Sequence, residues 1–184
     1  RISEGFNPAP TRLKAEFTNP GNHTATYYWV ISNTYIDTVD YWLNGKHVAQ
    51  TGLSFPFEQR PMESECFVLP VKTAPHETVS VHTRLAIKSG SLTSKFFLFD
   101  NAGLDKWFAA RNRFNAIYLA LFLNVFLIAL VVSLVSRRNI MIYYAMYLFA
   151  FILFQLQTLG YAYRYLWPDF PFAAFFGKGM FQLF

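Results

Sequence analysis

The chain has 184 residues, a net charge of +5, 53% hydrophobic residues and 20% aromatic residues, a composition that excludes intrinsic disorder. Cys66 is the only cysteine, so a disulfide-stabilised scaffold is also excluded. Residues 1–106 carry equal numbers of acidic and basic side chains, whereas residues 107–184 carry six basic and one acidic side chain. The excess positive charge therefore flanks apolar runs, which is typical of a membrane protein rather than a nucleic-acid-binding protein.

Residues 1–101 alternate between apolar and polar side chains, as half-buried strands do. This pattern predicts strands at residues 27–31, 39–43, 46–49, 66–69, 79–87 and 96–99. The Asn44-Gly45 dipeptide predicts a type I′ hairpin turn. Six or seven short strands separated by turns predict an antiparallel β-sandwich. Because the chain opens at Arg1 without a signal peptide, either a mature form is shown or N-terminal strands are missing.

Aromatic side chains are the richest feature of the predicted sandwich. Tyr28 and Trp29 occupy opposite faces of one strand, and Tyr41 and Trp42 occupy opposite faces of the next. One member of each pair belongs in the core, and the other either packs against a neighbouring element or stacks on a sugar ring. No metal-ligand spacing and no nucleophile–base pair is evident. We therefore predict no metal, no cofactor and no catalytic residue in this segment.

Two apolar runs without formal charge, residues 114–135 and 140–159, are each long enough to span a hydrocarbon core of ~30 Å. We predict that they are transmembrane helices joined by a basic loop at residues 136–139. The positive-inside rule places this loop in the cytoplasm, but Lys106, Arg111 and Arg113 before the first run favour the opposite orientation, so the charges leave the orientation open. The following loop at residues 160–171, which is periplasmic if the basic loop is cytoplasmic, is rich in Tyr and Trp, which is typical of an interfacial aromatic belt. Residues 172–184 predict the start of a third helix, so the chain is expected to be truncated within a helical bundle.

Three polar residues, Asn124, Gln155 and Gln157, lie inside the two apolar runs. We interpret them as sources of interhelical hydrogen bonds, and the alternative is a polar signalling path. Neither run contains an ionisable side chain, which argues against a proton relay or ion-coupled transport.

The order of these features carries a family resemblance. The pattern Gly-x-x-x-Pro-Phe-x-x-Arg lies at residues 52–60, a Ser-Gly-Ser-Leu turn at residues 89–92, a tyrosine-rich helix start at residues 142–147 and a Tyr-Leu-Trp-Pro stretch at residues 165–168. The chain resembles bacterial seven-transmembrane receptors with diverse intracellular signalling modules. The resemblance implies a periplasmic jelly-roll domain, similar to carbohydrate-binding modules, followed by seven helices and a cytoplasmic histidine kinase or diguanylate cyclase.

Our leading hypothesis is therefore a receptor of the bacterial inner membrane, with an N-terminal periplasmic domain that binds a small molecule, a carbohydrate or a periplasmic protein. The connector at residues 102–113 contains Gly103, Leu104, Lys106 and Trp107, and these residues are expected to carry a ligand-driven shift into the helices. The alternative is a non-catalytic accessory subunit of a larger membrane complex. The expected partners also include the lipid bilayer and a second copy in a homodimer, and exclude nucleic acid.

Tyr28, Trp29, Trp42 and Arg60 are the candidate ligand-binding residues. Arg60 has two interpretations. It is a loop anchor that binds backbone carbonyls or an acid such as Glu58 or Glu63, or it is a clamp for a ligand carboxylate, for which its fork of donors is suited.

Overall fold

The computed structural model describes residues 2–3, 9–88, 92–136 and 139–169. The elements in chain order are β1 (Ile2–Ser3), β2 (Thr11–Thr18), β3 (Ala25–Ile31), β4 (Thr38–Leu43), β5 (Lys46–Thr51), a 3₁₀ turn (Phe57–Gln59), β6 (Phe67–Thr73), β7 (Thr78–Ala86), β8 (Thr93–Ser94), β9 (Phe96–Phe99), α1 (Asn101–Ser136), α2 (Asn139–Thr158) and α3 (Tyr161–Tyr165). The turn at residues 89–91, the two arginines of the loop at 136–139 and the predicted third helix at 172–184 lie outside the described residues.

The strands form an antiparallel β-sandwich, which confirms the predicted fold class. One sheet has four strands in the order β2-β7-β4-β5, the other has three in the order β6-β3-β9, and β1 pairs with β8. The core lies between the two larger sheets. Its largest fully buried side chains include Tyr41, Phe67, Ile31, Leu69 and Leu85.

The Asn44-Gly45 turn joins β4 to β5 as the sequence predicts, because both residues have positive φ, 49° and 80°. The strand β2 was not predicted. Its apolar residues Leu13, Ala15 and Phe17 alternate with exposed charged residues and pack against the core. Their alternation is as regular as that of β7, with which β2 pairs along its full length.

The helix α1 is a continuous helix of 36 residues, which makes it about 54 Å long at 1.5 Å per residue. A hydrocarbon core of ~30 Å needs only about 20 of these residues. The predicted connector at residues 102–113 is therefore not a separate linker but the first turns of the first membrane helix.

The helices α1 and α2 are long and apolar enough to cross a membrane. They contact each other through Phe126, Ala129, Ala145 and Leu148, where the two alanines permit close approach of the backbones. Most of the other apolar side chains are exposed, as in Leu134 with 70% exposure. Exposed apolar surface of this extent is expected where lipid or further helices surround the pair.

The polar residues of the membrane runs form local rather than interhelical contacts among the described residues. Asn124 is exposed, Gln155 accepts a hydrogen bond from Thr158 in the same helix, and Gln157 accepts one from the indole of Trp167 in the segment after α3. Among the described residues, the two glutamines therefore bond within α2 and to the segment after α3 rather than to α1. The interhelical hydrogen bonds stay a prediction.

Two glycines of the four-stranded sheet, Gly45 and Gly52, differ in how closely other backbone atoms approach them. Gly52 has φ +142° and a Cβ at this position would overlap the backbone of Asp37, whereas Gly45 has φ +80° and open space around it. We expect Gly45→Ala to lower the free energy of unfolding by about 1–2 kcal/mol, the cost of the left-handed conformation. Gly52→Ala should cost clearly more, because strand β4 must move as well. Thermal unfolding of the full chain in detergent measures both, and equal costs would contradict the close approach at Gly52.

Candidate functional site at the sandwich–helix junction

The first turns of α1 pack on the outer face of the three-stranded sheet. The Asp100 carboxylate caps the helix by accepting a hydrogen bond of 2.8 Å from the backbone N–H of Gly103. One turn in, Leu104 is buried against Val30 and Val68. These contacts, together with those of Trp107 and Arg111 described next, are called the α1 anchor.

Arg111 closes the α1 anchor beside the only cysteine of the chain. Its guanidinium lies 5.3 Å from the ring centre of Trp107 and donates a hydrogen bond to the Cys66 sulfur. Cys66 is fully buried. Burial raises the pKa of its thiol, although the positive charge of Arg111 opposes the rise. The thiol is therefore protonated at neutral pH and is a poor nucleophile while the anchor is closed.

A second contact, the α3 anchor, forms where the chain leaves the second membrane helix. Gly160 lies between α2 and α3 with φ 85°, and a Cβ there would press on Glu65 and Thr34. The chain then enters α3, in which Tyr163 is buried beneath the sandwich and donates a hydrogen bond to the Phe55 carbonyl oxygen. The ring of Tyr163 also meets Phe57 edge-on, with ring centres 5.8 Å apart.

The interpretation of the loop at residues 160–171 as an aromatic belt is therefore wrong for Tyr163. Its ring packs against Phe57 and its hydroxyl bonds the Phe55 carbonyl oxygen, so both face protein rather than lipid. Tyr165, two residues later, is 65% exposed and remains suited to the membrane interface.

Arg60 lies at the centre of the α3 anchor. Its guanidinium carbon lies 4.8, 4.6 and 5.3 Å from the ring centres of Phe57, Phe67 and Tyr163, an arrangement that stabilises a desolvated cation. Its Nη1 donates a hydrogen bond of 2.6 Å to the Ser64 carbonyl oxygen. Burial lowers the pKa of Arg60 to about 10, so that the side chain is still charged at neutral pH.

The two anchors meet at adjacent residues of the sandwich. Arg164 of α3 donates a hydrogen bond of 2.6 Å to the Glu65 carboxylate, whose side chain is only 6% exposed. Partial burial alone would lower the pKa of Arg164, but the hydrogen bond and charge of Glu65 raise it. Since Cys66 contacts Arg111, the dipeptide 65–66 holds one arginine from each helix. We call this set of contacts the junction.

Tyr161 links the helices directly above the junction. Its hydroxyl accepts a hydrogen bond of 3.3 Å from the Asn115 amide and lies 3.2 Å from the Asn112 oxygen, to which it donates. On the sandwich side, the Thr34 hydroxyl donates to the Thr158 carbonyl oxygen at the end of α2. The start of α1, the end of α2 and α3 are thus held to each other and to the sandwich.

A groove lies on the outer face of the four-stranded sheet, away from the three-stranded sheet. It has a volume of about 420 Å³ and is lined by Arg12, Lys14, Trp42, Gly45, His82 and Arg84, among others. The pairing of β4 with β5 is irregular between Tyr41 and Trp42, where Val48 has no partner. Bulges of this kind redirect side chains and are common beside functional sites.

Comparison with protein-family models identifies the chain. The family described as 7TMR-DISM extracellular 2 matches residues 2–99, and the family described as 7TM diverse intracellular signalling matches residues 111–182. The chain belongs to this receptor family. No curated protein sequence matches it.

Family membership confirms the resemblance inferred from the order of the motifs. The chain comprises an outward-facing extracellular domain, and its residues 111–182 match a seven-transmembrane signalling region. The junction is the place where these two parts are in contact.

The structure separates the four candidate ligand-binding residues. Trp29 is 7% exposed in the core, and Tyr28 packs in the α1 anchor, so neither presents a free ring face to a ligand. Arg60 is buried between three rings and donates to the Ser64 carbonyl oxygen, which is the geometry of a loop anchor. Trp42 alone of the four lines the groove.

Of the four predicted connector residues, three take part in the α1 anchor and one does not. Leu104 and Trp107 form part of the α1 anchor, Gly103 receives the helix cap, and Lys106 is exposed on the other side of α1. Within the described residues, no group of three His, Cys, Asp or Glu side chains is placed to hold a metal ion.

Sequence reasoning missed the residues that join the two parts, namely Glu65, Tyr163 and Arg164. The available signals were weak but present. Glu65 is an acidic residue directly before a buried strand, and Arg164 is the only charged residue between 139 and 168. An isolated charge within apolar sequence usually has a partner.

The Glu65–Arg164 pair generates the prediction for this site. Arg164→Gln leaves the Glu65 carboxylate buried without its cation. This should lower the free energy of opening the α3 anchor by about 1–3 kcal/mol, which is less than the cost of breaking a fully buried pair because Arg164 is partly exposed. The native thiol of Cys66 is the probe. Its modification by a maleimide, in the chain reconstituted in lipid nanodiscs, should be about 5- to 150-fold faster in the variant.

Arg113→Gln is the matched control, since Arg113 is an exposed arginine of α1, and its substitution should leave the rate of Cys66 modification unchanged. The same rate in Arg164→Gln and Arg113→Gln would show that the ion pair does not hold the junction closed.

Proposed function

We propose that this chain is the sensing and relay part of a receptor in the bacterial inner membrane. Its sandwich lies in the periplasm and binds a small ligand, a carbohydrate in our preferred assignment, in the groove beside Trp42. Binding shifts the packing at the junction and so changes the arrangement of the helices. We assign no catalytic role to this segment and expect the output module on the cytoplasmic side of the receptor.

The single observation that carries this proposal is the interlocking of the sandwich with the helix ends. Glu65 and Cys66 each contact a different helix, and Tyr163 inserts into the sandwich. Packed interiors are not continuously deformable. A ligand that favours a different arrangement of the loops at residues 53–65 must therefore also favour a different arrangement of α1 and α3.

Strand β4 offers a direct route from the groove to the junction. Trp42 faces the groove, and the preceding residue, Tyr41, faces the core on the opposite side of the sheet. Burial raises the pKa of Tyr41, and the nearby charge of Arg60 opposes the rise. Arg60 in turn lies against Tyr163 of α3.

The groove suits a sugar-sized ligand. A volume of about 420 Å³ lies within the range of small-molecule sites. A tryptophan supplies the flat apolar face that stacks on sugar rings, and its ring meets His47 edge-on at 5.3 Å, which fixes its orientation. A homodimer and a periplasmic protein partner stay predictions from the sequence.

The test uses the full chain in lipid nanodiscs and a panel of soluble oligosaccharides. Binding is measured by calorimetry, and the rate of Cys66 modification is measured with and without each saccharide that binds. Because Cys66 is the only cysteine, no engineered label is needed. We expect a bound saccharide to change the modification rate by about fivefold or more, which corresponds to a coupling of about 1 kcal/mol.

Two variants separate binding from relay. Trp42→Ala should abolish binding and the change in rate together, whereas Leu98→Ala, which removes an exposed apolar side chain of β9, should abolish neither. Saccharide binding that leaves the Cys66 rate unchanged would contradict the relay, and saccharide binding that survives Trp42→Ala would contradict the groove as the site.

A further inference from the structure

The groove places two arginines directly opposite one another. In the register of β2 and β7, Arg12 is opposite Arg84, and the next outward-facing pair is Lys14 and His82. Like charges at directly opposed positions destabilise a sheet. These positions face outward, so the core does not require them, and alternating polar residues without charge would satisfy the same fold.

The nearby carboxylates neutralise only part of this cluster. Asp40 is largely buried and lies 3.8 Å from both Arg84 and His47. Glu16 is paired with Lys14 at 2.7 Å, with both side chains more than half exposed, where such a pair contributes little. Among the described residues, no carboxylate lies within salt-bridge distance of Arg12. Arg12 is thus a guanidinium with a free fork of donors at the edge of the groove.

Trp42 lies beside these cations. In the register of β4 and β7 it is opposite His82, and its neighbour on the same face, Asp40, is opposite Arg84. The groove therefore combines an aromatic face with at least one unneutralised guanidinium. An aromatic ring recognises the apolar face of a sugar, and a guanidinium recognises a carboxylate through two parallel hydrogen bonds.

We propose that the ligand of the groove is an acidic saccharide, in which a uronic acid carboxylate binds Arg12 and the sugar ring stacks on Trp42. This inference rests on the proposed function of the groove and adds the chemical class of the ligand. A bound carboxylate would also relieve the repulsion between Arg12 and Arg84, which gives the sheet a reason to keep two arginines at opposed positions.

The test compares a tetragalacturonate with its methyl ester, which has the same rings and no charge. Both are titrated into the full chain in lipid nanodiscs by calorimetry. We expect the acid to bind about tenfold or more tightly than the ester, as the loss of a charge-assisted hydrogen-bond pair predicts, and its affinity to fall as salt is added. Arg12→Gln should remove the preference for the acid and leave the affinity for the ester unchanged.

Lys72→Gln is the matched control, because Lys72 is an exposed cation on the other sheet, and it should leave both affinities within about twofold, as expected for a surface charge distant from the site. Equal binding of acid and ester, lost in both cases with Trp42→Ala, would overturn the acidic class while the groove kept its role as a sugar site. If neither the acid nor the ester binds, the inference is overturned. The proposed function is then tested separately, by the binding of other saccharides of the panel and their effect on the rate of Cys66 modification.

Discussion

The buried carboxylate of Glu65 is the constraint on which the arrangement of this chain depends. A carboxylate that is 6% exposed needs a cation or several donors, and the cation here, Arg164, lies beyond both membrane helices in the sequence. The next residue, Cys66, holds Arg111 of α1. A rigid displacement of the sandwich away from the membrane would therefore separate Glu65 from its cation and expose Cys66, so the sandwich and the helix ends form one packed unit.

This constraint explains why the first helix is longer than a membrane span requires. The first 13 residues of α1, residues 101–113, precede the uncharged apolar run, and they are packed on the sandwich through Leu104 and Trp107. A flexible connector would let the extracellular domain move without disturbing the membrane helices. A continuous helix that is fixed at its outer end transmits a change of tilt or rotation, because its backbone hydrogen bonds resist bending over this length. The second attachment through Tyr163 supplies a fixed reference against which α1 can move.

Local patterns in the sequence predict the elements of this fold but not their long-range partners. Alternation predicts the strands, Asn44-Gly45 predicts the hairpin, and two uncharged runs predict the membrane helices, since each signal depends on neighbouring residues. The Glu65–Arg164 pair joins positions 99 residues apart, and no periodicity encodes that contact. For the same reason, the sequence alone favours a lipid environment for Tyr163, whose partner is the sandwich. The basic residues of the groove are likewise far apart in sequence and form a cluster only because β2, β4 and β7 are neighbours in one sheet.

Hydrogen exchange of the full chain in nanodiscs, compared between the wild type and Glu65→Gln, tests the unity of the junction most directly. If the sandwich and the helix ends are one packed unit, the substitution increases amide exchange together in β6, in the first turns of α1 and in α3, while β2 at the far edge of the other sheet keeps its protection. An increase confined to α3, with β6 and the start of α1 unchanged, would contradict the account and show that the two anchors are independent.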